Sequence, residues 1–171
     1  MAVEHAQPDP GVSQADFRHV VGKFATGICI ASTHDDGIDY AMTVSAFTSV
    51  SLDPLRVLVC VEKITRFHRA VLNAGLWAVS VLRDDAEDVS RWFAEKGRPT
   101  QRQFADYQHS PAPVSGMPVL DSAMAVVECR TVAVYDGGDH DILLGEVIGV
   151  FADPHGGQPL LYFEGKYRTL D

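Results

Sequence analysis

The feature that most constrains this chain is the run 41–54, AMTVSAFTSVSLDP. With the two-residue period of a strand, Thr43, Ser45, Phe47, Ser49 and Ser51 share one face, and Met42, Val44, Ala46, Thr48, Val50 and Leu52 share the other. One face then carries hydroxyls and an aromatic ring, while the opposite face is mostly apolar. Two readings stay open on this stretch alone. It is a strand with a solvated Ser/Thr face, since threonine favours strands. Or its small neutral donors and acceptors hold a phosphate or a polar heterocycle.

The flanking sequence supplies more strands. His34-Asp35-Asp36-Gly37 reads as a hairpin turn, because Asp-Gly tolerates positive φ. Asp53-Pro54 breaks the ladder, since proline has no N–H to donate. The apolar run 57–61 is predicted to be a strand buried on both faces, and 76–82 another. Further on, 123–135, 142–151 and 160–163 read as strands separated by the turns 136–139 and 153–157.

Three helices interrupt this pattern. Ser13 opens the first with Asp16 as an acidic capping partner, and Phe17, Val20, Val21 and Phe24 form its apolar face. Gly27 is predicted to end that segment and admit a strand over 28–32. Thr65 caps a helix over 66–73, stopped by Gly75. Asp84, with Glu87 in the capping-box position, starts the helix that carries Val89, Trp92 and Phe93. The stretch 95–118 is rich in Pro, Gln, Gly and Ser and reads as a long irregular segment of the kind that serves as a lid or partner-facing arm. Six or seven mostly antiparallel strands with three helices predict a mainly β fold, a barrel carrying peripheral helices. No βαβ rhythm is present, which argues against a Rossmann domain.

Composition narrows the function classes. Residues 1–12 contain two prolines and few large apolar groups and read as a flexible lead-in; 13–171 fit one domain. The formal net charge of −9 opposes phosphate backbones, and no basic stripe offsets it, so no nucleic-acid role is expected. The N-terminal stretch lacks the basic-then-apolar order of a signal peptide, and no apolar run approaches a membrane span. A soluble, cytoplasmic protein is expected. Cys29, Cys60 and Cys129 each sit in an apolar run, and buried free thiols fit better than disulfides or zinc. The seven histidines show no metal-binding spacing, so no metal is expected, and the familiar glycine-rich nucleotide fingerprints are absent.

Polar groups gather at strand ends in three places: 43–51, Glu62-Lys63 with Thr65, and Gly138-Asp139-His140. Lys63 precedes a helix start, so its charge and the unpaired N–H groups of that turn could share a phosphate; a plain surface lysine is the competing reading. His140 stands between two aspartates, which tend to raise an imidazole pKa, beside glycines that leave room for a ligand; an exposed turn histidine is the alternative. No nucleophile–base pair or catalytic carboxylate pair stands out. If the chain is an enzyme, a bound cofactor supplies the chemistry.

The ordered set FRHVVGKFATGICIAST, AMTVSAFTSVSLDP, VLVCVEK, GDHDILLGEV and LLYFEGKYRTL resembles the short-chain flavin reductase family, the reductase components of two-component flavin-dependent monooxygenases. The resemblance spans about residues 14–170. It implies an FMN-binding split β-barrel, antiparallel and Greek-key-like, and a homodimer with flavin near the subunit interface. It implies reduction of FMN or FAD by NADH or NADPH, with reduced flavin released to a partner monooxygenase. By matching position, Thr43, Val44, Ser45 and Ala46 would line the isoalloxazine, with Ser49 and Ser51 toward the ribityl and phosphate end. Cys60, Val61, Glu62 and Lys63 would form the second flavin-contacting strand end, with Lys63 the phosphate partner, and Thr26 and Gly27 a turn near the flavin. His140, within the GDH signature, would contact the nicotinamide, with Tyr167 a further candidate for that pocket and Phe104 a possible flavin contact.

The chain departs from the family pattern in places. Leu55 and Arg56 follow Pro54 where a second proline is common, which predicts a less stiff loop, and Ser80 stands where many relatives carry Asn. The 95–118 segment matches poorly. Two other readings share the barrel: a flavin carrier without reductase activity, and a flavin-dependent oxidase like the pyridoxamine-phosphate oxidases. FMN against FAD stays open; the absence of an arginine cluster for a 2′-phosphate favours NADH.

Overall fold

The computed structural model describes residues 11–170. Of the lead-in predicted for residues 1–12, residues 1–10 lie outside the described part. Three helices, α1 (Gln14–Val21), α2 (Arg66–Ala74) and α3 (Glu87–Ala94), accompany twelve strands. In chain order these are β1 (Thr26–Gly27), β2 (Cys29–Asp35), β3 (Ile38–Val44), β4 (Phe47–Leu52), β5 (Leu55–Glu62) and β6 (Leu76–Val81). They continue as β7 (His109–Pro111), β8 (Pro118–Leu120), β9 (Ala125–Asp136), β10 (His140–Ala152), β11 (Leu161–Phe163) and β12 (Lys166–Arg168).

Seven strands form one antiparallel sheet in the order β3-β2-β6-β9-β10-β5-β4. The outermost strands, β3 and β4, are joined by Ser45 and Ala46 alone. A flat sheet of this width would hold its edges roughly 29 Å apart, whereas three residues of chain reach at most about 11 Å. The sheet must therefore curl until its edges nearly meet, and the result is a split barrel. The Ala46 carbonyl accepts from Cys60 N at 3.1 Å, which extends the β4–β5 ladder to the edge of the seam.

That connection corrects the reading of 41–54 as one strand. Phe47 was expected on the face of Thr43, but it packs in the same core as Met42 and Val44. The two-residue crossing resets the alternation, and a register shift between Ser49 and Ser51 disturbs it again. Strand 57–61, expected to be buried on both faces, alternates instead: Val57, Val59 and Val61 point into the core while Leu58 and Cys60 are half-buried. β2 is the strand covered on both sides. Its Cys29 and Ala31 join Trp77 and the α2 residues Phe67 and Val71, whereas Ile30 joins Val89 and Phe93 of α3 and Phe104.

Local signals set most helix ends. Ser13 caps α1 through its bond from Asp16 N, and Thr65 caps α2 through its bond from His68 N at 3.2 Å. Gly75, at φ +66, terminates α2 in the left-handed conformation. Thr65→Ala is expected to lower stability by about 1 kcal/mol, read as an earlier denaturant midpoint with unchanged m-value. Two boundaries differ from expectation. α1 ends at Gly22, not Gly27, because Gly27 is held in β1 against Leu161. α3 begins at Glu87 without a side-chain cap, since Asp84 N is engaged by the Gln158 carbonyl and the strap from Arg83 to Pro159 delays the helix.

The short strands β1, β7, β8 and β12 were not legible as strands. β1, β11 and β12 form a small three-stranded sheet, and β7 and β8 form a hairpin inside the segment read as irregular. Glu128, almost fully buried, holds the turn of that hairpin by accepting from the main-chain N–H groups of Val114 and Ser115.

Candidate functional site

The expected site residues fall into two groups that meet at the barrel seam. The first surrounds the small sheet. Thr26 pairs with Tyr162, and Tyr162 pairs with Tyr167, so the three lie in a row across β1, β11 and β12; Gly27 pairs with Leu161 beside them. The Tyr167 hydroxyl is 2.9 Å from Ser90 Oγ, and its ring lies under the Arg91 guanidinium at 4.8 Å. Thr43 Oγ1 donates to the Ser90 carbonyl at 2.6 Å. Ser90 is completely buried on α3 and so links β3 to β12. Sequence reasoning missed it; the available signal was a hydroxyl on the same helix stripe as Val89 and Phe93.

From this link the path continues along the seam. Val44 is buried, and Ser45 and Ala46 are exposed where the two sheet edges approach. The hydroxyls of Ser45, Ser49 and Ser51 have no hydrogen-bond partner among the described residues, and Ser45 and Ser49 face solvent. Exposed, unpartnered neutral hydroxyls beside free main chain form a surface able to bind a polar heterocycle and its phosphate-bearing tail. These residues fit a flavin.

The second group sits at the end of β5. Val61 is fully buried, so only its main chain can face a ligand, while Cys60 and Glu62 are half-buried on the outer face. His140 lies directly opposite Glu62 in the β5–β10 ladder. Its Nδ1 is 2.8 Å from Asp139, a contact that holds the Asp139 carboxyl below its usual range. Lys63 has partners within the chain. Its ammonium pairs with Asp136 at 2.5 Å and Asp141 at 3.4 Å, which raises its pKa, chiefly through the Asp136 hydrogen bond.

Thr43 and Glu62, one from each group, line a common cavity of about 360 Å³ between β3, the start of α2 and residues 93–103. Arg66, Lys96 and Arg98 also line it. Arg66 donates to Thr100 and to the Arg98 carbonyl, and Arg98 donates to the carbonyls of Ala41 and Glu95, so both tie down the segment 95–103. Burial, then the nearby Arg66, depresses the Arg98 guanidinium from its ordinary value. Arg66 carried a signal in the sequence: a cation in the first turn of a helix opposes the helix dipole and implies another task. Phe104 does not line this cavity. Its ring packs in the core against Phe93 and His109, at 5.0 and 4.6 Å between centroids.

The three cysteines are free. Burial pushes the thiols of Cys29 and Cys129 up to about 12, and raises that of Cys60 by less. Thiolate is the reactive form, so a maleimide reagent at neutral pH is expected to label Cys60 slowly, and Cys29 and Cys129 only after unfolding; mass spectrometry of the labelled peptides checks this. Among the described residues, no group of three or more His, Cys, Asp or Glu is arranged to hold a metal ion.

Comparison with known proteins matches this geometry. The family model of the flavin reductase like domain matches residues 21–171. The chain is 36% identical over 161 residues to "Flavin reductase (NADH)" of Kitasatospora aureofaciens, covering 92% of this chain and 83% of that protein. It is 32% identical over 167 residues to "Flavin-dependent monooxygenase, reductase subunit HsaB" of Mycobacterium tuberculosis, covering 97% and 85%. Among solved structures, the NADH:FAD oxidoreductase SgcE6 of Streptomyces globisporus in complex with NAD and FAD fragments superposes with a TM-score of 0.87 at 34% identity, covering 97% of each chain. The family model covers most of the chain and the overall fold is shared with a solved relative, so the chain belongs to the flavin reductase like domain family.

Proposed function

We propose that this chain is an NADH:flavin oxidoreductase that passes reduced flavin to a partner monooxygenase. The observation that carries the reading is the seam: unpartnered hydroxyls and exposed main chain at Ser45, Ala46, Ser49 and Ser51, adjoining the strand end that presents His140. Bound flavin would supply the redox chemistry, accepting hydride from the nicotinamide. The chain's own task is to hold both rings in contact and exclude other geometries. Thr43, Val44, Ser45 and Ala46 would line the ring system, Val44 through its main chain; Ser49 and Ser51 would serve the ribityl and phosphate end. Cys60, Val61 and Glu62 would border the ring from β5, with Thr26 and Gly27 closing the far side. Main-chain N–H groups at the seam are suited to stabilise negative charge that develops on a reduced ring.

Neutral hydroxyls bind flavin without a dense cation cage, which suits a protein that gives its product away. His140 Nε2, left outside the Asp139 contact, is the atom we assign to the nicotinamide, with Tyr167 bordering that pocket. Loss of NADH absorbance on adding FMN or FAD tests the reading; no oxidation by protein that binds flavin would replace it with a carrier role. Ser90→Ala is expected to lower kcat/KM about threefold to tenfold by releasing the Tyr167 hydroxyl, while the Thr43 bond to the main-chain carbonyl at position 90 is kept, measured in the same assay.

The oligomer is read from the surface. Leu52 is 84% exposed, and Val50, Leu55, Val132 and Val134 on the sheet are also solvent-facing, as are Phe17, Val20 and Phe24 on and after α1. We infer that a second copy covers these faces in a homodimer, which light scattering would register as twice the chain mass. No described helix is long and apolar enough to cross a membrane. Free thiols and an NADH-linked reaction favour the cytoplasm as its place of work.

A further inference from the structure

Lys63, for which a phosphate contact was expected, has carboxylate partners within its own chain. β10 begins at His140, and the turn before it and its two flanking strand ends carry three carboxylates, Asp136, Asp139 and Asp141, within six residues. Like charges this close repel, and the repulsion would spread the turn. One ammonium and one imidazole meet it from outside. Lys63 reaches Asp136 at 2.5 Å and Asp141 at 3.4 Å, and His68 Nε2 of α2 lies 2.7 Å from the other oxygen of Asp141. Lys63 also donates its main-chain N–H to the Asp139 carbonyl at 3.0 Å.

Asp136 in turn accepts from Gly138 N at 3.1 Å, and Gly137 N donates to the His140 carbonyl at 2.9 Å. Gly138 adopts φ +90, which suits glycine. Lys63 therefore grips the turn at both ends, through the last residue of β9 and the second of β10. Asp141 sits between Lys63 and His68, and both contacts hold its carboxyl below the usual range, His68 contributing more.

We propose that Lys63 is a positioning residue for His140: with Asp136, Asp141 and His68 it fixes the turn that aims the imidazole, and it does not hold the flavin phosphate. The proposal rests on the reading of His140 as the nicotinamide contact. It moves the effect of Lys63 from flavin affinity to the use of NADH. Flavin phosphate would compete with two carboxylates already seated on the ammonium.

The test compares Lys63→Met and Lys63→Arg with the unaltered chain in three measurements. Hydrogen exchange in ligand-free protein reads the amides of Gly137 and Gly138, isothermal titration with FMN and FAD reads flavin affinity, and steady-state kinetics separates KM for NADH from kcat. In Lys63→Met the turn amides are expected to exchange about tenfold faster and KM for NADH to rise about tenfold, with flavin affinity within about twofold. Lys63→Arg, which keeps the charge, is expected to restore most of each. Flavin affinity weakened tenfold with turn exchange unchanged would make Lys63 the phosphate ligand and overturn the proposal. If the unaltered chain oxidises no NADH, the reductase reading fails, yet exchange and titration still decide what Lys63 holds.

Discussion

Gly145→Val is expected to destabilise the protein by about 3 kcal/mol or more. A Cβ at Gly145 would lie 2.5 Å from Trp77 Cζ2 and 3.1 Å from Cys129 Cβ, with the indole fully buried. The indole cannot swing aside, because its Nε1 donates to Thr131 at 3.1 Å. The register shift between Leu144 and Gly145 places the glycine against the ring. Urea denaturation of purified protein measures the loss. Trp77→Phe should relieve part of the cost of Gly145→Ala, so the double variant is expected to be more stable than the sum of the singles, a coupling that independent sites would not show.

The second large effect concerns activity. His140→Ala is expected to lower kcat/KM for NADH by about ten- to a hundredfold, the range for losing one hydrogen bond to a polar or charged partner. His140 is half-exposed at a strand start, so folding should be unaffected. Its ring opposes Glu62, which lines the cavity shared with Thr43. Flavin affinity, titrated without NADH, is expected to stay within about twofold, which separates a nicotinamide contact from a flavin contact. Equal loss of flavin affinity and of NADH use would remove the assignment.

Much of this was readable from the sequence, and the failures share a cause. Turn and cap chemistry acts over a few residues, so Asp36-Gly37, Thr65 and Gly75 were legible; Asp36 and Gly37 take the positive φ expected of them. The Ser45–Ala46 crossing was not, because its meaning lies in the closure of a sheet whose central strands, β9 and β10, begin only at Ala125 and His140. Asp84 looked like a helix cap until the distant Gln158 claimed its N–H. Lys63 shows the same limit: sequence placed it beside a helix start, but its partners Asp136 and Asp141 lie more than seventy residues away. The pattern 41–54 marked the right surface, yet Phe47 was assigned to the wrong face. The resemblance named residues around the seam; Ser90 and His68, which hold those residues in place, stood outside its motifs, and Asp141 stood inside one without a role.

The two-residue link between the sheet edges also bears on the order in which the molecule can assemble. Once residues 28–62 leave the ribosome they can form two hairpins, β2–β3 and β4–β5, but no ladder joins one to the other. β2 awaits β6, and β5 awaits β10, whose last residue is Ala152. Until then both hairpins present unpaired strand edges, the template for association between nascent chains. Synthesis must therefore run nearly to completion before the barrel can exist, and its folding rate is set by pairings distant in sequence.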